Sequence, residues 1–317
     1  MWHAHEPVGH IVNQEGIENE ADLYRYQAFG LIISSEIELS GLGTVSATTA
    51  VDLTIRRGLL PDVPEQTEYR QSQLFAGANW IQLGPVEIGC LRITEGRSMT
   101  VDPKGATDDL VQSLIINAGI FTALMQRGTL VMHAAVVAVD DGAILIAGER
   151  EAGKSTSAAE FLRAGYPLLS DDHGVISYRD KQALVWPGYR VRKLHRDGIE
   201  RHGLESQASP IANERGKYRV IMSDGLAPAP LPPRAIFILR KESTPELKIT
   251  EVKGARKLVL LNEQRFRRRL STVIKTYQTP MMTFASQVRV FELIRPNEID
   301  TREQLVPAIL QALQQDP

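Results

Sequence analysis

Ala143-Ile144-Leu145-Ile146-Ala147-Gly148-Glu149-Arg150-Glu151-Ala152-Gly153-Lys154-Ser155-Thr156 is the stretch that decides the fold. Its first five residues form an unbroken apolar run, as expected of a strand buried on both faces. Gly148 to Ser155 then fit the spacing G-x-x-x-x-G-K-S. Gly148 and Gly153 permit a tight backbone path that turns successive N–H groups toward phosphate oxygens. Lys154 is long enough to reach β- and γ-phosphates, and the Ser155 hydroxyl suits Mg²⁺. Lys154 to Ala164 reads as a helix with Gly165 as its stop, and its positive end adds to the phosphate site. A plain glycine turn before a helix shares part of this pattern. The strand before and the helix after favour nucleotide binding, with Glu149, Arg150, Glu151, Ala152 and Thr156 completing the loop. Glu149 and Glu151 are unusual in a loop meant for anions. They are expected to point outward, since only the backbone faces the phosphates.

Working outward, Asp140-Asp141-Gly142 between two apolar runs predicts a hairpin, so the loop strand should have an antiparallel partner in a strand from Leu130 to Val139. A helix is expected over 108–127. Thr107 is its N-cap candidate, Asp108 and Asp109 suit its positive end, and Gly128 suits its stop. After the loop helix, Tyr166 to Leu169 reads as a strand, with further strands at 174–178, 183–186, 218–222, 235–240 and 288–294. A last helix runs from about Thr301 to Gln314. Upstream, Leu31-Ile32-Ile33, Val51 to Ile55, Trp80 to Leu83 and Cys90 to Ile93 read as short strands between turn residues. The expected fold is α/β, a phosphate-loop core with a mixed sheet plus a small β-rich N-terminal domain. The expected division is a tail over 1–21, the β-rich domain over 22–104 and the core over 105–317.

The 317 residues, 43% hydrophobic, are enough for a large core and about two domains. A net charge of −2 argues against a general nucleic-acid binder. The single cysteine, Cys90, excludes an internal disulfide framework and a cysteine zinc cage, and fits a reducing cytoplasm. Met1 to Glu20 lacks the basic-then-apolar order of a signal peptide; its His3, His5 and His10 read as a loose tail before a metal site. The most apolar run, Leu110 to Met125, is short of the roughly 20 residues that span a bilayer.

Asp171 and Asp172 follow the strand after the loop helix. A carboxylate there can hold Mg²⁺ or its waters, and a second can take a proton from an attacking hydroxyl. The plain alternative is that they cap the next turn. His133, one strand upstream of the loop, is a core histidine or a neighbour that tunes Asp171. Arg265-Phe266-Arg267-Arg268-Arg269 lies in a stretch with Leu258, Leu261, Phe266, Leu270 and Ile274 at helical spacing. It reads as an amphipathic helix with a solvated basic face, or as a cradle for an acidic peptide.

His133-Ala134-Ala135, the loop, Gly165-Tyr166 and Ser170-Asp171-Asp172 together resemble HPr kinase/phosphorylase in order and spacing. That family phosphorylates a serine hydroxyl on a small carrier protein. The chain from about 22 to 312 is more closely similar to the HPr-kinase-like proteins that modify peptides, the lasso-peptide kinases among them. Tyr26 to Leu31, Trp186-Pro187-Gly188-Tyr189 with Lys193-Leu194, Gly216-Lys217-Tyr218-Arg219 and Pro233 to Leu239 carry that likeness. The resemblance implies ATP and Mg²⁺ as cofactors. It implies Lys154 and Ser155 as phosphate and metal residues, and Asp171 as general base with His133 beside it. It implies Asp172 at the metal, and Lys217 and Arg219 neutralising the transferred phosphoryl group, with Arg215 a further candidate. The partner implied is a precursor peptide with an acceptor serine. A homo-oligomer is compatible with it, and neither nucleic acid nor membrane is expected. Two departures, Glu151-Ala152 in a loop that is richer in glycine in the family and the weak match of Asn213 to Gly216, argue against phosphorylase activity and against HPr as partner. Two other readings stay open: kinase action on a carrier protein or metabolite, and a non-catalytic nucleotide-binding regulator, for which Glu149 and Glu151 speak.

Overall fold

The computed structural model describes residues 23–46, 49–65, 67–71, 73–84, 89–211, 216–222, 227–268, 270, 274 and 278–315. The N-terminal histidines, Asn213 to Arg215 and Arg269 lie outside the described residues. The loop strand, Gly142–Gly148, sits inside a six-stranded mixed sheet. On one side it pairs antiparallel with Ala134–Val139 through the expected hairpin, in which Val139 faces Gly142. On the other it runs parallel to Pro233–Glu242, which in turn runs parallel to Arg289–Pro296. Leu168–Ser170 and Lys248–Glu251 close the two edges.

Side chains alternate across this sheet, as the period of a strand requires. Val137, Ile144, Ile146 and Phe237 face the helices Lys154–Arg163 and Arg302–Gln314, packing on Phe161, Leu305 and Ile309. Val136, Leu145 and Ile236 face the other way, into a second apolar cluster. That cluster continues through the helical segment 108–126 to Leu53, Ile81 and Met99 of a nine-stranded sheet built from Tyr24 to Asp102.

Three expectations are corrected. The strand Leu130 to Val139 is two strands: Leu130–Met132 pairs with Gly174–Arg179 in a separate three-stranded sheet, and the chain breaks at His133. The His133 N–H is taken by the Gln264 carbonyl (2.7 Å), which satisfies the backbone where it leaves one sheet for the other. The helix over 108–127 contains a widened π turn at Ile115–Gly119 between Asp108–Leu114 and Ile120–Gln126, and Thr107 caps nothing with its side chain. The helical spacing from Leu258 to Ile274 does not make one continuous helix. The helix Gly254–Glu263 stops, Arg265 bridges to Met132, and the Phe266 N–H bonds the Val131 carbonyl. The turn after this single bridge lets Phe266 pack its ring against Phe121 and His173. Among the described residues no helix is long and apolar enough to cross a membrane.

Candidate active site

Gly148 closes the loop strand at the carboxyl ends of the parallel strands, the usual place for ligands in such sheets. Gly148 has φ 143°, and a Cβ there would sit 2.6 Å from the Leu239 carbonyl oxygen. Gly153 has φ 102° and leads into the helix Lys154–Arg163. Both are conformations that favour glycine. The Gly153 carbonyl accepts from the Ser157 N–H and hydroxyl, each at 2.8 Å, which fixes the first turn carrying Ser155 and Thr156. The Lys154 ammonium folds back on the loop and donates to the carbonyls of Gly148 (2.9 Å) and Glu149 (3.0 Å). Glu149, Arg150 and Glu151 are exposed, as expected for side chains outside the backbone cradle, and Ala152 is buried. Burial lowers the Lys154 pKa more than Asp172 raises it.

Strand register brings the other groups to this end of the sheet. Ala134 faces Ala147, so His133 stands next to Gly148. Ser170 faces Val136, so Asp171 and Asp172 emerge at the same edge. The two aspartates then part company. Asp171 is 6% exposed; its Oδ2 accepts the Lys193 N–H (2.9 Å), and its Oδ1 is buried with no partner among the described residues. Burial raises its pKa against the pull of Arg192. Asp172 opens to the cleft, with Oδ1 3.5 Å from His133 Nδ1 and Oδ2 3.6 Å from Lys193 Nζ. Burial pushes its pKa up, but His173 and His133 when protonated, and Lys193 and Lys217 as standing cations, outweigh this and hold it low. The expectation that His133 lies beside Asp171 is therefore corrected: it lies beside Asp172. Adjacent residues at the end of a strand point opposite ways, and it is Asp172 that lines the cleft beside His133.

His133 has its pKa lowered, mainly by burial. His173, not singled out in the sequence, is 3% exposed and has its pKa lowered to about 3 by burial, so it is a neutral packing group. Its position directly after the aspartate pair was the available signal. Lys217 acts electrostatically on both Lys154 and Asp172. It lies on Lys217–Ile221, paired antiparallel with Val191–His195, a strand that also supplies Arg192 and Lys193. Arg219 is directed to a neighbouring cavity instead, described below. An open cleft of about 880 Å³ lies over the loop, lined by His133, Gly148 and Asp172 together with Arg265, Arg267 and Arg268. Arg267 and Arg268 are exposed, as a solvated basic face requires, but they stand at this cleft beyond the end of the helix Gly254–Glu263.

No family model and no curated protein matches this chain. A solved structure it is similar to is the Hpr(Ser) kinase/phosphatase from Coxiella burnetii, with a TM-score of 0.28 and 12% identity, over 57% of this chain and 94% of that one.

Proposed function

We propose that this chain is a kinase that uses ATP and Mg²⁺ and moves the γ-phosphoryl group to a serine hydroxyl on a precursor peptide. The observation that carries this reading is the arrangement at Gly148–Ser155. A glycine-bordered loop ends a buried strand, its lysine lies along the loop, and Asp172 faces it beside His133.

The residues fit a magnesium nucleotide. The cradle around Gly148 leaves no room for a Cβ, Lys154 and Lys217 bring positive charge, and the Ser155 hydroxyl is an oxygen donor of the type Mg²⁺ prefers. When bound, the nucleotide and its ion would supply the phosphoryl group and offset its charge. The chain's own residues position and neutralise. Lys154 would turn from the Gly148 and Glu149 carbonyls to phosphate oxygens, and Lys217 would oppose the negative charge that spreads in transfer. Asp172, kept ionised by its cationic neighbours, takes the serine proton on a carboxylate oxygen. Neutral His133 orients that carboxylate. Asp171, enclosed and held by the Lys193 N–H, anchors the strand that carries Lys193. This proposal moves the base from Asp171 to Asp172 and leaves Ser155 as the oxygen donor to the ion. It includes a cytoplasmic setting, where ATP is available.

The test is transfer followed by mass spectrometry, with purified full chain, Mg²⁺, ATP and serine-bearing peptides, comparing wild type with Asp172→Asn. A gain of one phosphate that the variant loses supports the proposal. ATP binding with no gain on any peptide would replace it with a metabolite or carrier acceptor, or with a nucleotide-binding regulator.

A further inference from the structure

Beside the cleft lies a separate, more enclosed cavity of about 320 Å³. Ile116, Tyr189 and Val191 give it apolar walls, while Lys193 and Arg219 line it with positive charge. These two cations stand directly opposite each other in the antiparallel register of Val191–His195 and Lys217–Ile221. The carboxylate in its lining, Asp109, belongs to the exposed first turn of the helical segment. The cations therefore outnumber it.

Two links tie the cavity to the cleft. Asn117 lines both, and Lys193 places its ammonium 3.6 Å from Asp172 while also lining the cavity. Ile116 and Asn117 also belong to the π turn at Ile115–Gly119. Widened turns of this kind cost regular helical bonding and occur frequently at functional sites. The volume is at the lower end of the roughly 300–1,000 Å³ of small-ligand sites, enough for one end of a ligand and not for a folded partner.

We propose that this cavity is the acceptor pocket, selecting acceptors that carry a carboxylate and an apolar group next to the reacting hydroxyl. The proposal rests on the kinase reading above. Arg219 holds the carboxylate, for which its forked guanidinium is suited. The apolar walls take the neighbouring side group. Lys193 links the bound carboxylate to Asp172, so the hydroxyl next to it faces the proposed base. The carboxylate has two sources in a peptide, a chain terminus or an adjacent acidic side chain.

The test measures binding by fluorescence anisotropy, on the full chain without nucleotide. Four labelled peptides are compared: one ending in leucyl-serine with a free carboxyl, its amide, an amide with aspartate after the serine, and an amide with asparagine there. At least one carboxylate peptide should bind about ten-fold more tightly than its neutral counterpart, and Arg219→Gln should bring that ratio to within about two-fold, with Arg219→Lys in between. The first pair reads the chain terminus, the second the side chain. Equal binding of all four, binding of none, or discrimination that survives in Arg219→Gln would each overturn the acceptor pocket. Because no nucleotide is present, carboxylate-selective binding without phosphate transfer would sink the kinase reading alone and leave the pocket standing.

Discussion

The ring of His173 lies on that of Phe121, with centroids 3.9 Å apart and planes 28° from parallel. Phe266 closes the same histidine edge-on at 4.8 Å. This apolar enclosure is the physical cause of its depressed pKa, since a charged imidazolium there would lose its hydration.

That enclosure predicts an acid-sensitive fold. The unfolded chain takes up a proton on this histidine below about 6.5, and the folded chain resists until about 3. Stability is therefore full above about 6.5 and declines as pH falls through that window. Urea unfolding of wild type at neutral and mildly acidic pH should show the decline. His173→Leu should show a shallower one. An equal slope in both proteins would assign the effect to other groups.

Phe121→Ala should cost about 3–5 kcal/mol, through lost apolar contact and the cavity left behind. It should also raise the His173 pKa toward its ordinary value by admitting water, which an NMR titration of the imidazole reads directly.

Lys154→Ala should lower phosphate transfer by about 10²–10³-fold, as expected for loss of one charge aimed at the transferring group. Among the described residues its ammonium bonds loop carbonyls alone, so the melting temperature should move little. Turnover that stays at the wild-type level would remove this lysine from the mechanism.

The two aspartates should separate in a paired experiment. Asp171→Asn leaves the buried Arg192 without its negative neighbour and should destabilise the fold by several kcal/mol, up to about 3–5. Asp172→Asn should spare the melting temperature and abolish transfer. With Asp172 as base, its lowered pKa keeps it ionised in mild acid, so kcat/KM should stay level down to about pH 5. An acid limb above that range would return the role to Asp171, whose pKa burial raises.

Gly148→Ala places a methyl group about 2.6 Å from the Leu239 carbonyl in a backbone region that L-residues avoid. A loss of about 1–3 kcal/mol is expected, with weaker nucleotide protection of the fold against heat. A variant that melts and binds like wild type would show that the loop relaxes freely.

The parts of the site that lie along one stretch of chain were legible in the sequence. Gly148 to Ser155 supplies its own backbone path, and Asp140-Asp141-Gly142 supplies the hairpin that brings a partner strand beside it. What depends on direction across the sheet was not legible. The apolar run Leu130 to Val139 carries no mark of the break at His133, because both halves are buried, each in a different sheet. Two adjacent aspartates look alike until the strand end turns one inward and the other toward the loop. The spacing from Leu258 to Ile274 matched a helix, yet Phe266 is apolar because it covers a histidine. The nine-stranded sheet was visible only as separate short runs, since its neighbours β-pair across long sequence gaps, as Thr54 with Ser98 shows.

Phe29 follows the strand Tyr24–Ala28 in the turn Phe29-Gly30 and sets its ring 4.9 Å from Phe121, on the way to His173. The described residues of the nine-stranded sheet thus act as insulation for the cleft. They cover the back of the ring pair. A chain trimmed to begin near 105 would keep the loop, both aspartates and every lysine named here, and would still be altered, because Phe121 would lose the Phe29 side of its shield. In such a protein the burial of His173 would be reduced and its pKa would move up from about 3, toward a positive charge beside Asp172. Sequence remote from the phosphate loop can in this way set the charge state next to it.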